Sequence, residues 1–267
     1  MLERILANSP VFLLIAVRCF ALIMTIPLFS IRTVSRIAKL ALTGFMAYLI
    51  FPHVDFSAYA PYISSDGAIS LPYIMLLIGE GAIGIITGFY VTIIFAAFSS
   101  AGQFFAFQMG FSASEVYDAL SQVENPLMGQ FFNFVAMLIF LQNDWALMLF
   151  SRALVSSFDS LNALSLAIQR EEMLRFLLGG LTKLFADAFV ISLPIMGTLL
   201  LVSVTMGILS KAAPQMNLMS EGFPIMILIS FFIIMTLFPQ ICEFFIHSFA
   251  SGFESMLRSF SIAGGAS

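Results

Sequence analysis

Lysine and arginine are absent from residues 40–151 of this chain, although the same stretch carries seven carboxylates: Asp55, Asp66, Glu80, Glu115, Asp118, Glu124 and Asp144. Charge is scarce throughout. Ten per cent of the 267 residues are Asp, Glu, Lys or Arg, against 60% hydrophobic, and the mean hydropathy is +1.03. A soluble domain of this length has too little interior to hide that much apolar surface, so the composition predicts an integral membrane protein with no separate soluble domain. The net charge of −4 argues against a nucleic-acid binder, which needs a basic face to neutralise phosphates. The two cysteines, Cys19 and Cys242, both lie in apolar segments and read as small buried hydrophobes, not a disulfide framework. His53 and His247 are the only histidines; there is no HExxH and no Cys/His set at ligand spacing, so no metal is expected. With no GxSxG elbow and no P-loop, the expectation is a protein that is not an enzyme and takes no cofactor.

The missing cations pose a topology problem. Residues 40–151 hold at least three segments apolar enough to enter a bilayer, so a loop joining them should face the cytoplasm, where short loops carry an excess of Lys and Arg. None does. The dense basic cluster, Arg32, Arg36 and Lys39, lies just before the stretch and marks a cytoplasmic linker. Ahead of it, a first helix is predicted from about Pro10 to Pro27; Arg18 within it and the bulky end at Leu28 and Phe29 are unlike a cleavable signal peptide. Leu40 to Phe51 is too short to cross about 30 Å of hydrocarbon and fits a buried hairpin arm. Residues 52–70 read as a polar loop.

From Leu71 to Met109 no proline follows Pro72, which predicts a single very long helix that must protrude or be broken. Residues 127–158 read as a helical hairpin pausing at Gln142, Asn143 and Asp144. Residues 159–185 are amphipathic, followed by two strongly apolar segments, one containing a kinking Pro194. In the tail, 246–262, Ile246, Phe249, Phe253, Met256 or Leu257, and Phe260 share a face that should lie on a membrane surface or between neighbouring subunits.

Three features could carry function. On the long helix, Glu80, Gly84, Gly88, Thr92, Ala96 and Ser100 recur every four residues, a row of small or polar side chains along which another backbone can approach closely, within the chain or from a partner. Glu80 itself is costly in an apolar setting unless paired; Arg18 is an available partner for a structural ion pair, and the competing reading is a proton or ion relay. The third is the connection 110–126, flanked by Gly110 and Pro126, long enough for a gating or occluding role and equally readable as a passive turn.

Four runs point further: AGQFFAFQMGFS (Ala101 to Ser112), NPLMGQFFNFVAMLIF (Asn125 to Phe140), ISLPIMGTLLLV (Ile191 to Val202), and KAAPQMN with GFP (Lys211 to Asn217, Gly222 to Pro224). Together with Glu80, Gly84 and Gly88, and in the same order along nearly the whole chain, they resemble the flagellar biosynthetic protein R family, a component of the type III secretion export gate with a homologue in virulence injectisomes. Lys211, where Arg is expected, and Glu221, where an apolar or small residue is expected, depart from that pattern.

The resemblance implies an all-α membrane protein whose long helical hairpins pack in a helical, conical assembly, not as simple alternating spans. It implies an inner-membrane subunit of the flagellar basal body, assembled with the P and Q subunits of the gate, contacting the B subunit, and passing unfolded rod, hook and filament proteins. It places a channel plug at Gly110 to Pro126, with candidate gating residues Gln108, Met109, Gly110, Phe111, Ser112, Glu115, Asp118, Asn125 and Pro126. Candidate packing and assembly residues are Glu80, Gly84, Gly88, Pro194, Pro214, Gln215, Asn217, Gly222 and Pro224. The rival readings are an injectisome gate subunit, a secondary transporter with a midplane site near Glu80 and Pro194, and an intramembrane enzyme.

Overall fold

The computed structural model describes residues 2–30, 34–54, 57–62, 70–110, 127–161, 163, 170–213 and 222–263, and among these the fold is all-α. A short α1 (Leu2–Ala7) leads into α2 (Ser9–Thr25), which starts with Pro10 in its first turn, where the missing N–H costs nothing. It stops because Ile26 precedes Pro27 and is driven out of the helical region, to φ −67°, ψ 131°. After the single turn α3 (Pro27–Ser30), α4 (Arg36–Ile50) begins at Ser35, whose Oγ accepts the Ala38 N–H at 3.2 Å. α2 and α4 pack against each other. Lys39, Thr43, Ala47 and Ile50 are the buried face of α4, whereas Ile37, Leu40, Phe45 and Leu49 are exposed. The arm expected to be buried is therefore covered on one side only.

α5 (Leu71–Met109) is one unbroken helix of 39 residues, about 58 Å long at 1.5 Å per residue. α6 (Leu127–Gln142) and α7 (Trp145–Ser160) do not double back as a hairpin; they are bent by 70° at a break where Asp144 adopts a left-handed φ of 55°. α7 contains a π turn at Leu149–Ala153. The amphipathic stretch after it and the apolar segment beyond are not separate elements: α8 (Arg170–Ala212) runs through both, with Pro194 inside a continuous helix. Likewise α9 (Phe223–Ala263) fuses the last apolar segment with the tail. Most of the tail's apolar face is covered by the chain itself, where a membrane surface or a neighbouring subunit was expected: Phe249, Phe253, Met256 and Phe260 are buried, and Ile246 at its start is exposed.

Among the described residues, three helices are long and apolar enough to cross a membrane, Leu71–Met109, Arg170–Ala212 and Phe223–Phe260, and the bent α6–α7 pair would add a fourth if it makes one span. They differ in enclosure. Of their most apolar stretches, 61% is buried in α5, against 22% in α8 and 17% in α9.

By compactness the chain divides into two units: residues 1–93, 140–180 and 251–267, and residues 94–139 and 181–250. In the first, Leu14, Tyr59, Tyr73 and Leu76 form a buried cluster, and Tyr90 stacks on Phe176 with centroids 4.2 Å apart. In the second, aromatic side chains dominate: Phe98 meets Phe245 edge-on at 4.5 Å, Phe105 meets Phe132 at 5.2 Å, and Phe104 stacks on Phe189 at 5.0 Å. The second unit also contains a close crossing of α5 and α6 at paired glycines. A Cβ on Gly102 would stand 2.7 Å from the Met128 carbonyl oxygen, and one on Gly129 would stand 2.9 Å from that of Ser99.

Gly129→Val should therefore destabilise the protein by about 1–3 kcal/mol through overpacking against backbone that cannot yield. Gly197→Ala on α8, where no described atom lies within 4 Å of the new methyl, should not destabilise it. Thermal unfolding midpoints in detergent separate the two.

Candidate functional site

The first unit encloses a buried charge network. Arg18 of α2 and Glu80 of α5 are both completely buried and form an ion pair at 2.6 Å. Arg18 Nε donates to Glu80 Oε2 at 2.6 Å, Nη1 donates to Ser157 Oγ at 3.0 Å, and Nη2 donates to the Leu161 carbonyl at 2.8 Å. The guanidinium carbon lies 3.9 Å above the Phe158 ring, which covers the flat face of the cation. The other carboxylate oxygen, Oε1, accepts from the Tyr59 hydroxyl and from the Ala163 N–H at 3.3 Å. Burial, and then the negative charge of Glu80, push the Tyr59 pKa up from its ordinary value, so the phenol remains a donor.

Local sequence explains why these groups can meet. Gly79 leaves room for Ala163: a Cβ there would stand 2.5 Å from the Ala163 Cβ. Gly84 faces the carbonyl of Arg18 and the Ala21 side chain, and Gly88 faces Thr25, both so closely that any Cβ would collide. Thr92, next in the row, donates its hydroxyl to the Thr25 carbonyl at 2.9 Å. The row at four-residue spacing thus seats α2 along α5 from Glu80 to Thr92. Breaking a buried ion pair by removing one partner typically costs about 3–5 kcal/mol, because the survivor is left charged and unpaired. Both oxygens of Glu80 are engaged from within the chain: Oε2 by the Arg18 guanidinium, Oε1 by the Tyr59 phenol and the Ala163 amide.

The remaining candidates are scattered. Gln108 and Met109 close α5, with Met109 fully buried, and Gly110 follows at φ +84° with its N–H on the Phe107 carbonyl at 3.3 Å. Only glycine suits this helix end, because the backbone is left-handed and the Phe223 ring fills the space a Cβ would need. Gly222 is buried and ends its gap against Met206, Pro224 sits in the first turn of α9, and Pro194 is exposed on α8. Phe111, Ser112, Glu115, Asp118, Asn125, Pro126, Pro214, Gln215 and Asn217 lie outside the described residues. Sequence reading missed Tyr59, Ser157, Phe158, Leu161 and Ala163. Residues 52–70 read as a polar loop, and two of the missed contacts are backbone groups that carry no residue signature.

The profile described as bacterial export proteins, family 1, matches residues 9–252. The chain belongs to that family. Among its relatives, the flagellar biosynthetic protein FliR of Bacillus subtilis (strain 168) is 29% identical over 264 residues, covering 98% of this chain and 99% of the relative. The FliR protein of Escherichia coli (strain K12) is 28% identical over 237 residues, 89% of this chain and 87% of its own. The surface presentation of antigens protein SpaR of Shigella flexneri is 30% identical over 159 residues, 60% of each chain.

Tyr59→Phe should cost about 1.5–3 kcal/mol, the range for a hydrogen bond to a charged group. Glu80→Gln, which keeps the shape and removes the charge, should cost more, because Arg18 is then left buried and uncompensated. Chemical denaturation of the purified protein in detergent orders the two variants, and an equal loss would contradict the ion-pair reading.

Proposed function

We propose that this family member is a subunit of the flagellar type III protein export gate, an inner-membrane, multi-pass component of the flagellar basal body. The observation that carries the reading is similarity in unbroken order along 98% of the chain to a flagellar biosynthetic protein. The long apolar helices fit a membrane component, since α8 and α9 keep most of their apolar stretches uncovered by their own chain, surface for lipid or neighbouring subunits to cover. In the finer reading, the gate forms with the P and Q subunits, contacts the B subunit, and passes unfolded flagellar proteins. Gly110 to Pro126 would occlude the channel, entering from the left-handed turn at Gly110 and leaving at the start of α6.

Use in a virulence secretion apparatus draws on the similarity to the surface presentation protein, which covers 60% of each chain and is weaker support than near-complete coverage. A transporter with a midplane site at Glu80 is disfavoured, because that carboxylate is completely buried and already bonded to Arg18, Tyr59 and Ala163 of the same chain.

Deleting residues 112–124 and measuring small-ion leak and flagellar protein export in cells tests the reading of the 110–126 segment. The expected result is an assembled gate that leaks ions and exports abnormally. An assembled gate with neither change would refute the plug.

A further inference from the structure

Helix α2 is poorly suited to stand alone in an apolar environment. Its 17 residues reach about 25 Å, short of the roughly 30 Å of hydrocarbon, and Arg18 lies in the middle of them. Every partner that neutralises or hydrogen-bonds the guanidinium comes from elsewhere in the chain: Glu80 on α5, and Ser157, Phe158 and Leu161 at the end of α7. The surface that receives α2 is cut to its backbone by Gly84 and Gly88.

The surroundings of the pair are also polarised. Besides Arg18, Glu80 is met by donors only, the Tyr59 hydroxyl and the Ala163 N–H. Besides Glu80, Arg18 is met by acceptors: the Leu161 carbonyl, and a Ser157 oxygen whose own proton goes to the Leu154 carbonyl at 2.7 Å. An acid at position 18 would face a carbonyl, and a base at position 80 would face an amide proton.

We propose that Glu80 seats α2, so that α2, α5 and the end of α7 reach their native arrangement as one cooperative unit, and that the surrounding donors and acceptors permit the charges in one orientation only. Arg18 and Glu80 are then coupled folding elements, independent of whether residues 110–126 gate a channel. Removing both charges together abolishes the unpaired buried ion that either single change leaves, although the Tyr59 hydroxyl, the Ala163 N–H and the Leu161 carbonyl then lose their charged partners.

The test expresses the full chain in its native membrane with the rest of the apparatus and reads the amount of protease-resistant, full-length protein. Arg18→Met and Glu80→Met should each lower it by about tenfold or more, and the double variant should accumulate above either single variant, short of the wild type because the groups that met the charges are left without partners. The exchange Arg18→Glu with Glu80→Arg should stay as low as the single variants. Single variants that accumulate normally, or a double variant no better than the product of the singles, would overturn the coupling. An exchange that recovers as fully as the double variant would overturn the fixed polarity.

Discussion

The ion pair between Arg18 and Glu80 is the constraint on which the first unit depends. Two charges completely removed from solvent are tolerable only when each has a full set of partners, because the desolvation penalty is several kcal/mol per ion. Meeting that condition fixes much of the local structure. It requires α2 at backbone contact with α5, which explains Gly84 and Gly88, and it requires the last turn of α7 and the residue after it to present a hydroxyl, a ring and a carbonyl to one guanidinium. Tyr59 then ties the segment 57–62 to the opposite side of the carboxylate.

The same pair bears on the base-free stretch. Glu80 is its buried carboxylate among the described residues, and the cation that answers it stands outside that stretch, on the first helix. Asp144, by contrast, is exposed at the left-handed corner between α6 and α7, where water can solvate it. The acid that most needed a partner obtained one through long-range folding, at a separation of 62 residues. Local charge patterning therefore could not reveal it, although Arg18, as the cation inside the first apolar helix, was identifiable as its partner.

What was legible in the sequence followed period and proline placement. The uninterrupted α5, the row from Glu80 to Thr92 and the apolar face of the tail all follow from helical spacing. Boundaries were less legible. The polar and apolar halves of α8, and those of α9, differ so much in hydrophobicity that they read as separate elements, yet nothing at their junctions stops a helix, and Pro194 and Pro239 are both accommodated inside one. The corner at Asp144 arises from a single left-handed residue that is not glycine, which propensity does not anticipate. The Gly102–Gly129 crossing and the contact of Gly110 with Phe223 pair positions far apart in sequence, so each glycine alone carried no message about its partner.

Membership of the bacterial export proteins gives this architecture its context. Polarity is used inward, in a network closed by the chain itself, while the long helices α8 and α9 keep apolar flanks available to their surroundings. The most direct measurement places a photo-crosslinking residue at Phe107, which is 75% exposed near the end of α5, and stalls an unfolded flagellar substrate during export. A crosslink to the stalled substrate that disappears when export is blocked upstream is the predicted result. Crosslinking of Phe107 to lipid alone, identical with and without the stalled substrate, would contradict a place for this chain along the export path.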